Sequence, residues 1–472
     1  MRQRPQLDPA GRERLDGVLA GPARRAADSS ATEPALRPEA GGSSPPSPSR
    51  SAANGRLIYL DVLRAVAVLL VLGNHRPLDP PAGAWGSSFV NYWRDAGWTG
   101  VTLFFVLSGF LIGGLLFHEH RATGSIRTLR FYMRRIFKIW PPYVAWLAAA
   151  MALIFIRGSG SIAERGGLAL HDLWPNFVHL QNYIFTSLVA RTSINGHTWS
   201  LAVEEHFYLT LPILLILVAR LSRRVGDGTL RLLPGILVAL IVVCTATRVY
   251  LAVFSDISAS SDTAWYAWVS THLRMDALAM GVLLAYVVSF APALVEPLRR
   301  WRLGLLSLGT LCFLPAVLFP LGEDSLDYVI NYSLGLSLQA LGSLAVVLWA
   351  WFASHGDGAM LVDRSPRRRG TDALVRWLAS IGVWSYSIYV WHFPFAMIAG
   401  WHIGNLLGAT DSAWRYGAFF SLYLVFGVVL GRWMHWLIER PALWARELLV
   451  PSSSSRSAWL RTEVRPATVI GG

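Results

Sequence analysis

The stretch Leu57–Arg76, LIYLDVLRAVAVLLVLGNHR, limits what this chain can become more than any other. Its length is that of a helix crossing ~30 Å of hydrocarbon. Yet it carries Asp61, Arg64 and His75, and ionisable groups at membrane depth cost several kcal/mol unless they are paired or face a polar cavity. At about 100° per residue, Arg64 and His75 fall on one face of one helix, about 16 Å apart along its axis. Asp61 lies one turn from Arg64, within reach of an i,i+3 ion pair. Two readings compete: charged anchors at the two membrane interfaces, or a polar path along the protein-facing side of the helix.

Hydrophobic residues make up 53% of the 472 positions and come in runs, which excludes a soluble domain of this length. About ten apolar stretches can be drawn, at 57–76, 98–117, 139–156, 199–219, 231–254, 274–291, 303–320, 332–353, 377–401 and 414–438. The expected fold is therefore all-α, a polytopic membrane protein with about ten transmembrane helices. The formal charge of +13 does not point to nucleic acid, because the basic residues are scattered among apolar runs and form no aromatic-interleaved soluble face. Cys244 and Cys312 both lie inside apolar stretches, so neither a disulfide framework nor a metal site is expected.

Three regions follow. Residues 1–55, rich in Pro, Ser, Ala and Arg, read as a disordered cytoplasmic tail. Residues 56–441 form the membrane domain, and 442–472 a short cytoplasmic tail. Basic residues crowd the loops after the second, fourth, sixth and eighth stretches, at 121–138, 220–231, 299–302 and 364–376. The opposite loops hold far fewer, and the one at 321–331 carries Glu323, Asp324 and Asp327 instead. The positive-inside rule then places both termini in the cytoplasm, in the cell's inner membrane.

That topology sorts the polar residues by depth. Arg64, Arg134, Arg135 and Lys138 fall toward the inner side, whereas His75, Trp199, Glu204, Glu205, Arg274, Asp276 and His392 fall toward the outer side. Each has a structural alternative. The inner cations double as topology determinants, and Arg274 is a candidate ion-pair partner for Glu204 and Glu205. His392 could be a packed histidine, and Gly109–Gly113 reads as close helix packing.

In order along the chain, LDVLRAVAVLLVLGNH, GVTLFFVLSGFLI, FYMRRIFKIWPPY, TWSLAVEEHFYL, RMDALAMG, SYSIYVWHFP and the ERP at Glu439–Pro441 resemble the acyltransferase family 3 membrane proteins over about residues 56–441. These are bacterial enzymes that O-acylate glycans and some secondary metabolites, and their ten-helix core agrees with the apolar stretches drawn above. The resemblance implies that Arg64 and His75 are the family's essential pair, with His75 catalytic. It also implies that Arg134, Arg135 and Lys138 match an arginine motif. The chain departs from the family's pattern at Lys138, where Arg is usual, at Thr102 in place of Asp, and at His206 in place of Gln. Lysine offers a point charge where arginine would make a bidentate phosphate contact. With no SGNH-type domain in this sequence, transfer is expected to finish in the membrane domain.

The expected reaction moves an acyl group, acetyl by family habit, from cytoplasmic acyl-CoA to a hydroxyl of a glycan, glycolipid or secondary metabolite. Arg134, Arg135 and Lys138 would hold the phosphates of acyl-CoA, a co-substrate rather than a resident cofactor. His75 would act as base or acyl carrier, with Arg64 nearby and Glu204 or Glu205 orienting the ring. Arg274, Asp276, His392 and Trp199 are candidates for acceptor contacts. The lipid bilayer, the donor and the acceptor are the expected partners. The alternative is a transporter or flippase of a lipid-linked glycan.

Overall fold

A computed structural model describes residues 57–83, 85–157, 171, 173–184, 195–224, 230–255, 262–319, 329–355 and 366–451. The expected tail at 1–55, the acidic loop of Glu323, Asp324 and Asp327, and residues 452–472 lie outside them.

All regular structure among the described residues is helical. We number the α-helices α1 (Ile58–Asn74), α2 (Ser87–Gly97), α3 (Thr99–Thr123), α4 (Thr128–Arg157), α5 (Gln181–Ile184), α6 (Trp199–Arg224), α7 (Leu232–Phe254) and α8 (Asp262–Val269). They continue as α9 (Thr271–Phe290), α10 (Arg302–Leu311), α11 (Leu314–Leu318), α12 (Leu336–Ser354), α13 (Pro366–Trp391), α14 (Met397–Leu406), α15 (Ala413–Met434) and α16 (Arg440–Leu449). Among the described residues, 8 segments are long and apolar enough to cross a membrane, which makes the chain an all-helical, multi-pass membrane protein. The two other expected spans correspond to α1, which has 17 residues, and to α13, whose first turns are rich in arginine.

Several boundaries differ from the apolar pattern, among them that of the stretch at 377–401, where α13 runs Pro366–Trp391 and a kink separates it from α14. Helix α4 starts at Thr128 rather than near 139, because nothing from Leu129 to Trp140 breaks a helix and its cations find polar surroundings. The stretch at 303–320 breaks between α10 and α11, where Pro315 has no N–H to continue the ladder and sits comfortably in a first turn. After Pro441, residues expected as a tail form the rest of α16, in keeping with the helix-forming run Ala442–Leu449.

Helix α1 packs between α3 and α13 and also touches α12 and α15, while α3 runs against α9. A Cβ on Gly109 of α3 would collide with the Leu278 carbonyl of α9, so these backbones meet only because the position is glycine. The small-residue spacing at Gly109–Gly113 is therefore a packing device, as expected. Gly382 of α13 plays the same part against the Asp61 carbonyl of α1. Gly382→Val is expected to force the two helices apart and cost about 1–3 kcal/mol, read as a lower melting temperature in detergent. An unchanged melting temperature would mean that the two helices separate there at no cost.

Candidate active site

A cavity of about 510 Å³ lies among α1, α3, α4, α6, α13 and α16. Its lining changes along the helices. The cytoplasmic ends expected from the arginine pattern contribute Glu119, Arg130, Arg134, Arg135, Lys138 and Arg446. Farther along come Asp61, Arg64, Ser108, Glu204, Tyr208 and Tyr386, then Phe104, Ser200 and Tyr389.

Each charge has a definite environment. Asp61 Oδ1 takes Arg64 Nη1 at 2.8 Å, the i,i+3 pair that the spacing predicts. Arg134 is paired with Glu447 of α16 at 2.7 Å and also donates to the Val450 carbonyl. Lys138 is paired with Glu439, a fully buried carboxylate that also accepts from Ser387 at 2.6 Å and contacts His435 Nδ1 at 2.9 Å. Arg135 differs. It lies over the rings of Phe131 and Tyr208, 5.6 and 5.5 Å from their centroids, and among the described residues no carboxylate forms an ion pair with it. Of the three expected phosphate-binding cations, two line the cavity already paired, and Arg135 is the one without a carboxylate.

The expected grouping of the outer carboxylates apart from the inner cations does not hold for Glu204, although it keeps its place near the start of α6. That residue lies in the second turn of α6 and lines the same chamber as Arg64 and Arg135. Tyr208 donates to Ser108 at 3.0 Å, and Ser108 donates to Glu204 at 2.8 Å. Glu205 is half-buried, with its Oε1 lacking a hydrogen-bond partner. Neither glutamate pairs with Arg274. That guanidinium sits within 6 Å of the rings of Phe105, Trp199 and Trp268 and reaches Thr102 Oγ1 at 3.3 Å. Asp276 is held by Arg248 at 2.6 Å, in a buried pair between α7 and α9 that also includes Ser337. Trp199, Arg274 and Asp276 thus make contacts that hold helices together, and none of the three lines the main cavity.

His75 does not line that cavity either. It terminates α1, with its carbonyl accepting from Tyr423 at 3.0 Å. Its Nδ1 lies 3.1 Å from Nε2 of the fully buried His392, so its partner is a histidine rather than Glu204 or Glu205. The expectation of an orienting carboxylate is corrected by this contact, since Glu204 is engaged with Ser108 on the chamber side. His197, which sequence reasoning missed, completes the group at 5.3 Å between ring centroids from His392. Its position one turn ahead of the Trp199–His206 motif is the signal that was available. Tyr389 lines the cavity, and its ring centroid lies 5.7 and 5.6 Å from those of His197 and His392. Its hydroxyl accepts from Ser200 at 2.5 Å and donates to the His197 carbonyl at 2.9 Å. Among the described residues, no group of His, Cys, Asp and Glu is arranged to hold a metal ion.

Comparison with known proteins bears on this arrangement. A family model described as an acyltransferase domain matches residues 57–436. The chain is similar to O-acetyltransferase OatA of Staphylococcus aureus strain NCTC 8325 / PS 47, at 26% identity over 345 residues, 71% of this chain and 50% of that protein. The protein of the same name from S. aureus strain COL matches at the same identity and coverage. The chain spans about half the length of the curated relatives it matches. No solved structure matches it.

Proposed function

Because this chain belongs to acyltransferase family 3, we propose that it transfers an acyl group, acetyl by analogy with its staphylococcal relatives, from acyl-CoA to a hydroxyl of a glycan, glycolipid or secondary metabolite. The observation that carries the reading is one chamber, cationic at one end and lined at the other by Tyr389, whose ring meets that of His392, the partner of His75. Its volume of about 510 Å³ lies in the range of small-molecule sites. A donor with phosphates at one end and a thioester at the other fits that gradient. Arg135, which has no carboxylate partner among the described residues, meets the phosphates, with Arg130, Arg134 and Arg446 around it. The pantetheine arm runs past Arg64 and Phe104 toward Tyr389.

The chemistry follows from His75. The hydroxyl oxygen of the acceptor attacks the thioester carbonyl carbon, a C–O bond forms and the C–S bond breaks. Since His75 does not line the chamber, the thioester must come past Tyr389 to it; the hydroxyl proton then passes to a ring nitrogen of His75 and from there to the departing CoA thiolate. In the covalent variant the same nitrogen attacks first and carries the acyl group to the acceptor. Both routes need a lone pair on the nitrogen that faces the substrate. The sidedness expected from the arginine pattern would put both termini and the phosphate end of the chamber in the cytoplasm, with His75 toward the opposite face.

Direct assay of purified full-length protein with acetyl-CoA tests the reading, by release of free CoA thiol alone and with candidate hydroxyl acceptors. Arg135→Ala is expected to weaken CoA binding about tenfold, about 1.4 kcal/mol, and to flatten its dependence on salt. A folded Arg135→Ala protein with unchanged CoA affinity would remove the phosphate role from this residue.

A further inference from the structure

The proposal concerns the nitrogen of His75 that holds the proton, and it rests on the reading of His75 given above. His392 is the last residue before a kink: the backbone leaves helical geometry at Phe393, with φ −112° and ψ 125°. Pro394 follows, and proline has no N–H. The Val390 carbonyl, four residues earlier, therefore has no helical donor at that position. It takes Nε2 of His197 instead, at 3.2 Å. The Tyr389 carbonyl takes Nδ1 of His392 at 2.6 Å, and the Phe393 carbonyl takes the Trp146 indole at 3.0 Å. One proline-kinked helix end thus offers carbonyls that fix two buried imidazoles.

A carbonyl oxygen only accepts. Nδ1 of His392 must then carry a hydrogen, and in the neutral ring its Nε2 holds the lone pair. That lone pair points at Nδ1 of His75, 3.1 Å away. We propose that His392 is a positioning residue that places the proton of neutral His75 on Nδ1, leaving the lone pair on Nε2 for the acyl-transfer chemistry. The order runs one way: Tyr389 carbonyl, His392, His75. It does for His75 what a carboxylate does for the histidine of a catalytic triad, without placing a buried negative charge at the end of α1. When Nε2 takes a proton, the Nδ1–H bond to His392 remains, so the ring stays aimed as it becomes an imidazolium.

The kink also explains why the signal is spread over the short run His392-Phe-Pro394. The histidine supplies the acceptor, and the proline keeps the backbone from closing the helix over the carbonyls.

The test uses full-length protein in lipid with histidine labelled at both ring nitrogens. The His75 resonances are identified by their loss in His75→Asn. In the wild type, Nδ1 of His75 is expected to show the shift of a protonated nitrogen and Nε2 that of an unprotonated one. His392→Phe, which fills the space but cannot accept a hydrogen bond, is expected to move the proton to Nε2 and lower turnover roughly 10–100-fold, with KM for acetyl-CoA unchanged. His392→Gln, whose amide oxygen can accept from Nδ1, is expected to retain turnover within about tenfold. A purely structural role would leave the nitrogen shifts in place and give no rescue by glutamine over phenylalanine. An Nε2-protonated His75 in the wild type would overturn the proposal, and that measurement needs no variant to fold. So would a His392→Phe protein of near-normal turnover beside an inactive His75→Asn. An active His75→Asn protein would instead overturn the underlying role of His75, and the nitrogen shifts would still decide where its proton lies.

Discussion

His75→Asn is expected to reduce acyl transfer by roughly 10²–10⁴-fold, about 3–5 kcal/mol of barrier, while leaving acetyl-CoA binding intact. Asparagine is close to histidine in size and still hydrogen-bonds, but it has no basic nitrogen near neutral pH. If His75 were an interfacial anchor for α1, an amide in its place would serve nearly as well, because the helix end is already tied by Tyr423 to the carbonyls of Leu72 and His75. Those backbone contacts survive the substitution, so the variant isolates the ring. Donor binding should survive too, since His75 does not line the chamber that holds Arg135. Turnover within a few-fold of wild type would end the catalytic assignment and turn attention to Glu204. Arg64→Ala is the contrasting variant: Arg64 lines the chamber, so its loss should weaken the donor's hold as well as the rate.

Glu439→Ala is expected to act on stability rather than chemistry, at a cost of about 3–5 kcal/mol. The carboxylate is fully buried and meets Lys138 of α4, Ser387 of α13 and His435. Removing it strands the Lys138 ammonium, 29% exposed, and leaves the Ser387 hydroxyl without its acceptor. Two helices and the end of α15 lose a common anchor at once. Glu439→Gln should be milder, because its amide oxygen can still accept from Ser387 while the ion pair alone is lost. Thermal unfolding of the two variants in detergent checks the order, and an alanine variant that melts with the wild type would show that the network adds no stability.

These two residues illustrate what sequence can and cannot convey. His75 was legible because an ionisable group in an apolar run is costly, and the cost singles it out wherever the partner lies. Glu439 was visible as part of a short motif, but its burial was not, since its partners Lys138 and Ser387 stand far from it along the chain. The same holds for His392. Its place in an apolar stretch was plain, whereas its contact with His75 joins residues from opposite ends of the membrane domain. The chamber that Glu204 lines was hidden for a related reason. The position of Glu204 in the run sets its depth only along its own helix, and depth along α6 does not say which chamber the side chain enters. The break between α10 and α11 was carried by Pro315, but an apolar stretch conceals a break from any reading based on hydropathy.

The sequence by itself determined that this chain is all helix and lies in a membrane, because apolar runs of that length have no other stable environment and lipid leaves backbone polar groups only their own helix to satisfy them. It determined the Asp61–Arg64 pair, which is set within one helical turn, and the close packing at Gly109, which needs only a missing side chain. The tertiary structure alone decided which charges are already paired, leaving Arg135, of the three expected phosphate-binding cations, without a carboxylate among the described residues. It alone decided that His75 meets a histidine and that this histidine lies against Tyr389 of the cavity lining. Periodicity within a helix reports which face a residue occupies. The partner across that face depends on how helices distant in sequence pack, and in hydrocarbon that is settled by side-chain fit and hydrogen bonding between helices.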